Sequence, residues 1–150
     1  MSRAGVPVAT LLLIAIGTIE ARVSAQQIAE SVGRPRLESA GVMLTAAGLL
    51  AGTAIYLVLG HLAIDDRVAL RTGAITGALA GLVGGALRAL VISGAVADLV
   101  ARYAAVPDWF ITVALGMFVV LSCVASAVGG GAIAWTGRRI SRAVRSRPPA

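Results

Sequence analysis

The chain has 150 residues, of which 58% are hydrophobic and only 13% are charged, and its mean hydropathy is +0.90. A soluble domain of this size covers its surface with charge, so the composition excludes that class and indicates a single transmembrane domain over residues 1–150. The formal net charge is +6 and every basic residue is arginine. Because the arginines concentrate after a long apolar segment, they indicate membrane topology, and no nucleic-acid partner is expected.

The first apolar segment, at about residues 6–32, has two interpretations. It can form an uncleaved transmembrane helix whose outer half is amphipathic. It also has the small residues "VSA" at the spacing of a secretory cleavage site, so residues 1–25 could act as a signal peptide. Glu20 and Arg22 interrupt the apolar run before that site, which favours the transmembrane helix.

Three further apolar runs predict helices at about residues 40–64, 67–102 and 107–136, each longer than the roughly 20 residues that cross a bilayer. Trp109 and Trp135 bracket the last of them and are about 39 Å apart at ~1.5 Å per residue. That separation matches the two aromatic belts at the membrane surfaces. The sequence therefore predicts an all-α integral membrane protein, a bundle of four transmembrane helices.

The distribution of arginine predicts the orientation of this bundle. Four spans place both termini on one side, and eight arginines fall in the segments on that side against four on the other. By the positive-inside rule both termini are cytoplasmic, in a multi-pass protein of the inner or plasma membrane. The arginine-rich tail, residues 137–150, is expected to contact anionic lipid headgroups. The arginines expected to do so are Arg138, Arg139, Arg142 and Arg145.

Small residues recur at every fourth position in three of the predicted helices, beginning with "GAITGALAGLVGG" at residues 73–85. In lipid, helices associate by close approach of their backbones, which small side chains permit. We therefore predict glycine-zipper packing, either within one bundle or against another subunit, and the pattern leaves both open. The packing residues are Gly73, Gly77, Gly81, Gly85, Ala89 and Ser93 in the third helix, Gly48 and Gly52 in the second, and Ser126 and Gly130 in the fourth.

Two opposite charges lie inside predicted spans, Glu20 in the first and Arg88 in the third. An intramembrane charge requires a partner or a wet cavity. At ~1.5 Å per residue the two lie about 21 and 22 Å from the cytoplasmic ends of their helices. The equal depths predict an ion pair between Glu20 and Arg88. Asp98 is the rival partner, but it lies about three turns beyond Arg88 on the same helix, which is too far for Arg88 to reach. Three roles remain open: a salt bridge that fixes helix register, a proton- or substrate-linked site, and an arginine that extends toward the lipid headgroups.

The residues that usually carry catalysis or bind metal are scarce. The chain has one cysteine, Cys123, and one histidine, His61. This excludes an internal disulfide and a site built from several histidines or cysteines, so we expect no metal, no cofactor and no enzymatic activity. His61 lies four residues before Asp65, and an interfacial histidine is favoured over a titrating pair.

Two functions follow from these patterns. The first is a small, non-catalytic accessory or structural subunit that packs against a larger membrane protein complex through its small-residue faces. The alternative is a small oligomeric, ion-coupled transporter or channel that uses Glu20 and Arg88. The expected partners are membrane lipids and either that larger complex or further copies of this chain.

Overall fold

The computed structural model describes residues 5–31, 39–103 and 107–145, with side chains for residues 5–23, 43, 45–94, 107 and 109–145. These residues form four α-helices, and the described ranges contain no strand. The helices are α1 Gly5–Ser31, α2 Ser39–Leu62, α3 Asp66–Tyr103 and α4 Asp108–Arg145.

Each helix contains a stretch long and apolar enough to cross a membrane. These stretches are Gly5–Val23, Thr45–Leu62, Asp66–Gly94 and Trp109–Arg145. By length and composition they confirm the prediction of an all-helical, multi-pass membrane protein with four spans.

The sequence ends the last span at residue 136 and predicts a short helical extension in the arginine-rich tail that follows. In the structure α4 continues without a break to Arg145. Contacts with α2 hold this extension, because Gly137 packs against the backbone of Leu57 and Ser141 is buried. The end predicted for α1 at residue 32 and residues 146–150 of the tail lie outside the described residues.

The helices alternate in direction. In the α3–α4 pair Gly73 lies opposite Gly130 and Gly77 opposite Ser126, so the two helices are antiparallel. This interface is the most extensive in the molecule, followed by α1–α3 and α2–α4. Contacts of α2 with α1 and with α3 are sparse, which leaves space on that side of the bundle.

A short turn joins α2 to α3 and is closed by local hydrogen bonds. The Ala63 amide donates to the Gly60 carbonyl at 3.2 Å, which ends α2. An Asp65 carboxylate oxygen accepts from the Val68 amide at 2.7 Å. This satisfies one of the free amides at the start of α3, as an N-cap residue does.

Several threonine hydroxyls in the spans are satisfied within their own helices, whereas that of the fully buried Thr76 has no hydrogen-bond partner among the described residues. The hydroxyls of Thr10, Thr18 and Thr53 donate to carbonyls four residues earlier at 2.7–2.9 Å. Such bonds matter in lipid, where no water is available to replace them. The outer surface carries large apolar side chains, including Leu50, Leu90, Val120 and Val128, each more than 60% exposed. In a membrane this surface faces lipid.

Candidate functional site

An ion pair joins α1 to α3. Arg88 Nη2 donates to Oε2 of Glu20, and Arg88 Nε donates to the Gly17 carbonyl at 3.3 Å. Gly17 and Glu20 are three residues apart on α1 and therefore face α3 together. The Arg88 side chain is 36% exposed and that of Glu20 is 15% exposed, so the guanidinium is the more accessible of the two. The side chain of Asp98, the rival partner, lies outside the described residues.

A glycine of α2 makes room for the carboxylate. A Cβ atom placed on Gly48 would overlap Oε1 of Glu20 and approach Ile16 Cγ2 to 3.3 Å. One turn further along α2, a Cβ atom on Gly52 would meet only Leu13 Cδ2, at the ordinary contact distance of 3.5 Å. Gly48 is thus a recess for the Glu20 carboxylate, whereas Gly52 is not.

A cavity of about 470 Å³ lies beside the ion pair and is lined by all four helices. Along α2 it extends from Thr45 to Tyr56, about 16 Å at ~1.5 Å per residue. Nothing lies within 4 Å of a Cβ atom built on Gly84, which also lines the cavity. Hydroxyl groups line it in addition to the charged pair. They belong to Thr45, Thr53, Tyr56, Ser122 and Ser126.

Most of the predicted packing residues of α3 face α4 in the same chain. A Cβ atom on Gly73, Gly77 or Gly81 would overlap backbone atoms of α4, those of Gly130, Ser126 and Ser122 respectively. At Gly85 it would approach the Ser122 side chain to 3.1 Å. Further along, Ala89 is buried, and Ser93 donates to the Leu90 carbonyl of its own helix at 2.8 Å.

The sequence patterns did not single out two packing glycines, or the tyrosine that precedes one of them on α2. A Cβ atom on Gly60 would overlap the Ala134 backbone, and one on Gly137 would lie 2.6 Å from the Leu57 carbonyl oxygen. The signal for Gly60 was present, because it continues the four-residue spacing of Gly48 and Gly52 beyond Tyr56. Tyr56 interrupts that spacing with a large side chain, which lies against Gly130 and lines the cavity.

The C-terminal arginines hold α4 against the turn between α2 and α3. Arg138 Nη2 donates to the Ile64 carbonyl at 2.5 Å, and Arg142 Nη2 donates to Asp66 at 2.9 Å. Arg139 lies 4.0 Å from Asp66 and stacks over the Trp135 ring at 4.3 Å. Arg139 and Arg142 remain largely exposed, as does Arg145, so the predicted contact with lipid headgroups stays a prediction.

The remaining candidate residues have partners of their own. His61 Nδ1 lies 2.7 Å from the Ser141 hydroxyl, while Asp65 caps α3, so this histidine is paired with α4. Cys123 Sγ lies 3.4 Å from the Ala78 carbonyl oxygen and donates to it. Over the described ranges, no three side chains of His, Cys, Asp or Glu lie together as a metal site would require.

No protein-family model, curated protein sequence or solved structure matches this chain. The function therefore has to be inferred from the chemistry of the site itself. Opposite charges and several hydroxyl groups beside an open, otherwise largely apolar space can bind a polar or charged solute.

Proposed function

We propose that this chain is a small multi-pass membrane protein that admits a small polar solute or ion to the cavity beside Glu20 and Arg88 and passes it across the membrane. The observation that carries this proposal is the cavity of about 470 Å³, lined by all four helices and by both charges. A salt bridge that only fixes helix register needs no such space beside it.

The depth of the site supports the same function. Ser122 is midway between Trp109 and Trp135, and Gly81 packs against it. Arg88 lies seven residues beyond Gly81, or about 10 Å from the midplane at ~1.5 Å per residue. The hydrocarbon core extends roughly 15 Å to each side. A charge at this depth is costly unless it is paired or hydrated, and the pairing with Glu20 beside a cavity provides for both.

We also propose that both termini lie in the cytoplasm and that the α3–α4 glycines act as a zipper within one chain. The arginine distribution supports the orientation, and the close approach of Gly77 to the Ser126 backbone supports the zipper. The exposed arginines Arg139, Arg142 and Arg145 then meet anionic headgroups of the inner or plasma membrane.

The accessory-subunit hypothesis relied on small-residue faces that are free to dock. In this bundle Gly73, Gly77 and Gly81 contact α4, and Gly48 contacts Glu20, so those residues do not offer a free surface. Native mass spectrometry of gently extracted protein separates the two functions. Transport predicts the chain alone or as a homo-oligomer, whereas a fixed ratio to larger subunits would favour the accessory role.

Labelling of introduced cysteines tests transport directly. Replacing the single Cys123 by serine gives a cysteine-free chain, to which either Thr53→Cys in the cavity or Leu50→Cys on the outer surface is added. A charged, membrane-impermeant methanethiosulfonate reacts with thiolates in contact with water. It is applied to each side of sealed vesicles in turn.

We expect Thr53→Cys to be modified from both sides and Leu50→Cys, the matched control on the same helix, to be unreactive. Modification from one side alone would limit the cavity to binding and contradict passage across the membrane. An unreactive Thr53→Cys would contradict a hydrated cavity altogether.

A further inference from the structure

The site proposed above contains one positive and one negative group and is therefore neutral as a whole. Among the described residues that line the cavity, Glu20 and Arg88 are the ones that carry charge. A ligand with a single charge would leave a net charge at membrane depth, which is expensive. A ligand with both charges would not, since it can exchange partners with the ion pair and keep the site neutral.

Of the two groups that would recognise such a ligand, the Arg88 guanidinium is the more accessible. The hydrogen bonds of Arg88 to Gly17 and Glu20 use Nε and Nη2. In the part of the chain that the structure describes, Nη1 makes no hydrogen bond, and the side chain is 36% exposed. A guanidinium presents its N–H donors in a plane that matches a carboxylate, and the Glu20 carboxylate can accept from an ammonium.

The end of the cavity away from the ion pair is apolar. Leu13 lies seven residues before Glu20 on α1, about 10 Å away at ~1.5 Å per residue. Ile133 and the Tyr56 ring line the same region. An apolar body attached to the two charged groups would therefore lie against these side chains. The volume of about 470 Å³ is within the range of roughly 300–1,000 Å³ found for small-molecule sites.

We propose that the cavity binds a small zwitterion with an apolar body, of the α-amino acid class, with its carboxylate on Arg88 and its ammonium on Glu20. This inference rests on the proposed transport function and names the class of solute. No covalent step is involved, since the ligand exchanges ionic partners with the existing pair.

Equilibrium binding of tritiated leucine to the intact chain in lipid nanodiscs tests this proposal. The competitors are leucine itself, isocaproate, which lacks the amino group, and isoamylamine, which lacks the carboxyl group. Each analogue loses one charge-assisted interaction, so we expect it to compete at least about tenfold more weakly than leucine. Equal competition by either analogue would overturn the proposal, because a single charge would then suffice.

Two variants test whether Arg88 and Glu20 are the groups that bind the charged ends of leucine. Arg88→Lys retains the charge but not the planar donors, and Glu20→Gln removes the acceptor charge; each is expected to weaken leucine binding at least about tenfold. Leu50→Ala on the outer surface serves as the control and should bind as the unchanged protein does. The analogue comparison uses the unchanged chain, so the proposal stays testable even if a variant fails to fold.

A failure of the zwitterion inference is distinguishable from a failure of the transport proposal. If leucine, valine and phenylalanine all fail to bind while Thr53→Cys reacts from both sides of the membrane, the zwitterion inference is wrong and transport of another solute stands. If Thr53→Cys is unreactive as well, both proposals are wrong.

Discussion

Glycine has opposite roles at the α3–α4 interface and around Glu20. At Gly77 the missing side chain lets two helix backbones touch, with no space between them. At Gly48 it leaves a recess that a carboxylate fills, and at Gly84 it leaves space that nothing described fills. Glycine in a membrane helix therefore indicates close helix packing only where a backbone lies opposite it.

The difference also divides the bundle into a tightly packed side and an open side. The α3–α4 interface has the most extensive contacts, whereas α2 contacts α1 and α3 sparsely. Stability is expected to depend most on the first region and solute binding on the second. Four pairs of variants probe that division and the contacts around it, from the largest expected effect to the smallest.

Gly77→Ala should destabilise the protein by about 3 kcal/mol, the upper end of the range for overpacking, because the added methyl meets backbone atoms of Ser126 that cannot move independently. Gly84→Ala, on the same helix with nothing within 4 Å, should change the free energy of unfolding by less than about 1 kcal/mol. Reversible unfolding in detergent measures both. Equal losses for the two variants would contradict the division.

Removing one charge of the Glu20–Arg88 pair should destabilise the protein less than Gly77→Ala does, because the Arg88 side chain is 36% exposed. We expect Arg88→Leu and Glu20→Leu each to destabilise the protein by about 2 kcal/mol, since each leaves a partly buried charge unpaired. The double variant should lose less than the sum of the two, with a coupling of about 1 kcal/mol or more. Additive losses in this cycle would mean that the two residues do not interact.

Gly48→Ala should act through the ion pair, with a loss of about 1 kcal/mol, because its methyl displaces a flexible carboxylate. Gly52→Ala is the matched control, since its methyl meets Leu13 only at 3.5 Å. The Glu20–Arg88 coupling is measured again in each background. The coupling energy should fall with Gly48→Ala and persist with Gly52→Ala. A fall in both backgrounds would contradict the role of Gly48 as the recess for the Glu20 carboxylate.

The smallest effect is expected at the C-terminal end of α4. Arg142→Gln removes the ion pair with Asp66, and an exposed pair of this kind contributes about 0.5 kcal/mol. Arg145→Gln, for which no ion pair exists within the described residues, should have no effect on stability. Repeating the unfolding in high salt should abolish the difference between the two variants. A difference that persists in high salt would indicate packing instead of charge.

Much of the fold is readable from one-dimensional patterns. Four long apolar runs predict four spanning helices because the bilayer imposes a minimum length. The number of residues from each helix end places Glu20 and Arg88 at the same depth, and their side chains are in contact in the structure. Both inferences need only distances along single helices, which sequence supplies.

The sequence does not show in the same way which helices pack against each other. The row containing Gly73 and Gly77 specifies a face but not its partner, and the structure pairs it with α4 of the same chain. The cavity depends on how far α2 stands from α1 and α3, which no local pattern encodes. The arginines of the tail predict a helical extension at the membrane surface, but they do not indicate that Gly137 and Ser141 of the same segment pack inward against α2.

The central claim is that Glu20 and Arg88 meet inside the membrane beside the cavity. It is tested most directly by crosslinking in native membranes, with Glu20→Cys and Arg88→Cys combined in the Cys123→Ser chain. The control combines Arg88→Cys with Ile19→Cys, since Ile19 is 57% exposed on the outer surface. A short bifunctional thiol reagent should link positions 20 and 88 efficiently and positions 19 and 88 poorly. Failure to link 20 with 88, or equal linking of both pairs, would contradict the account.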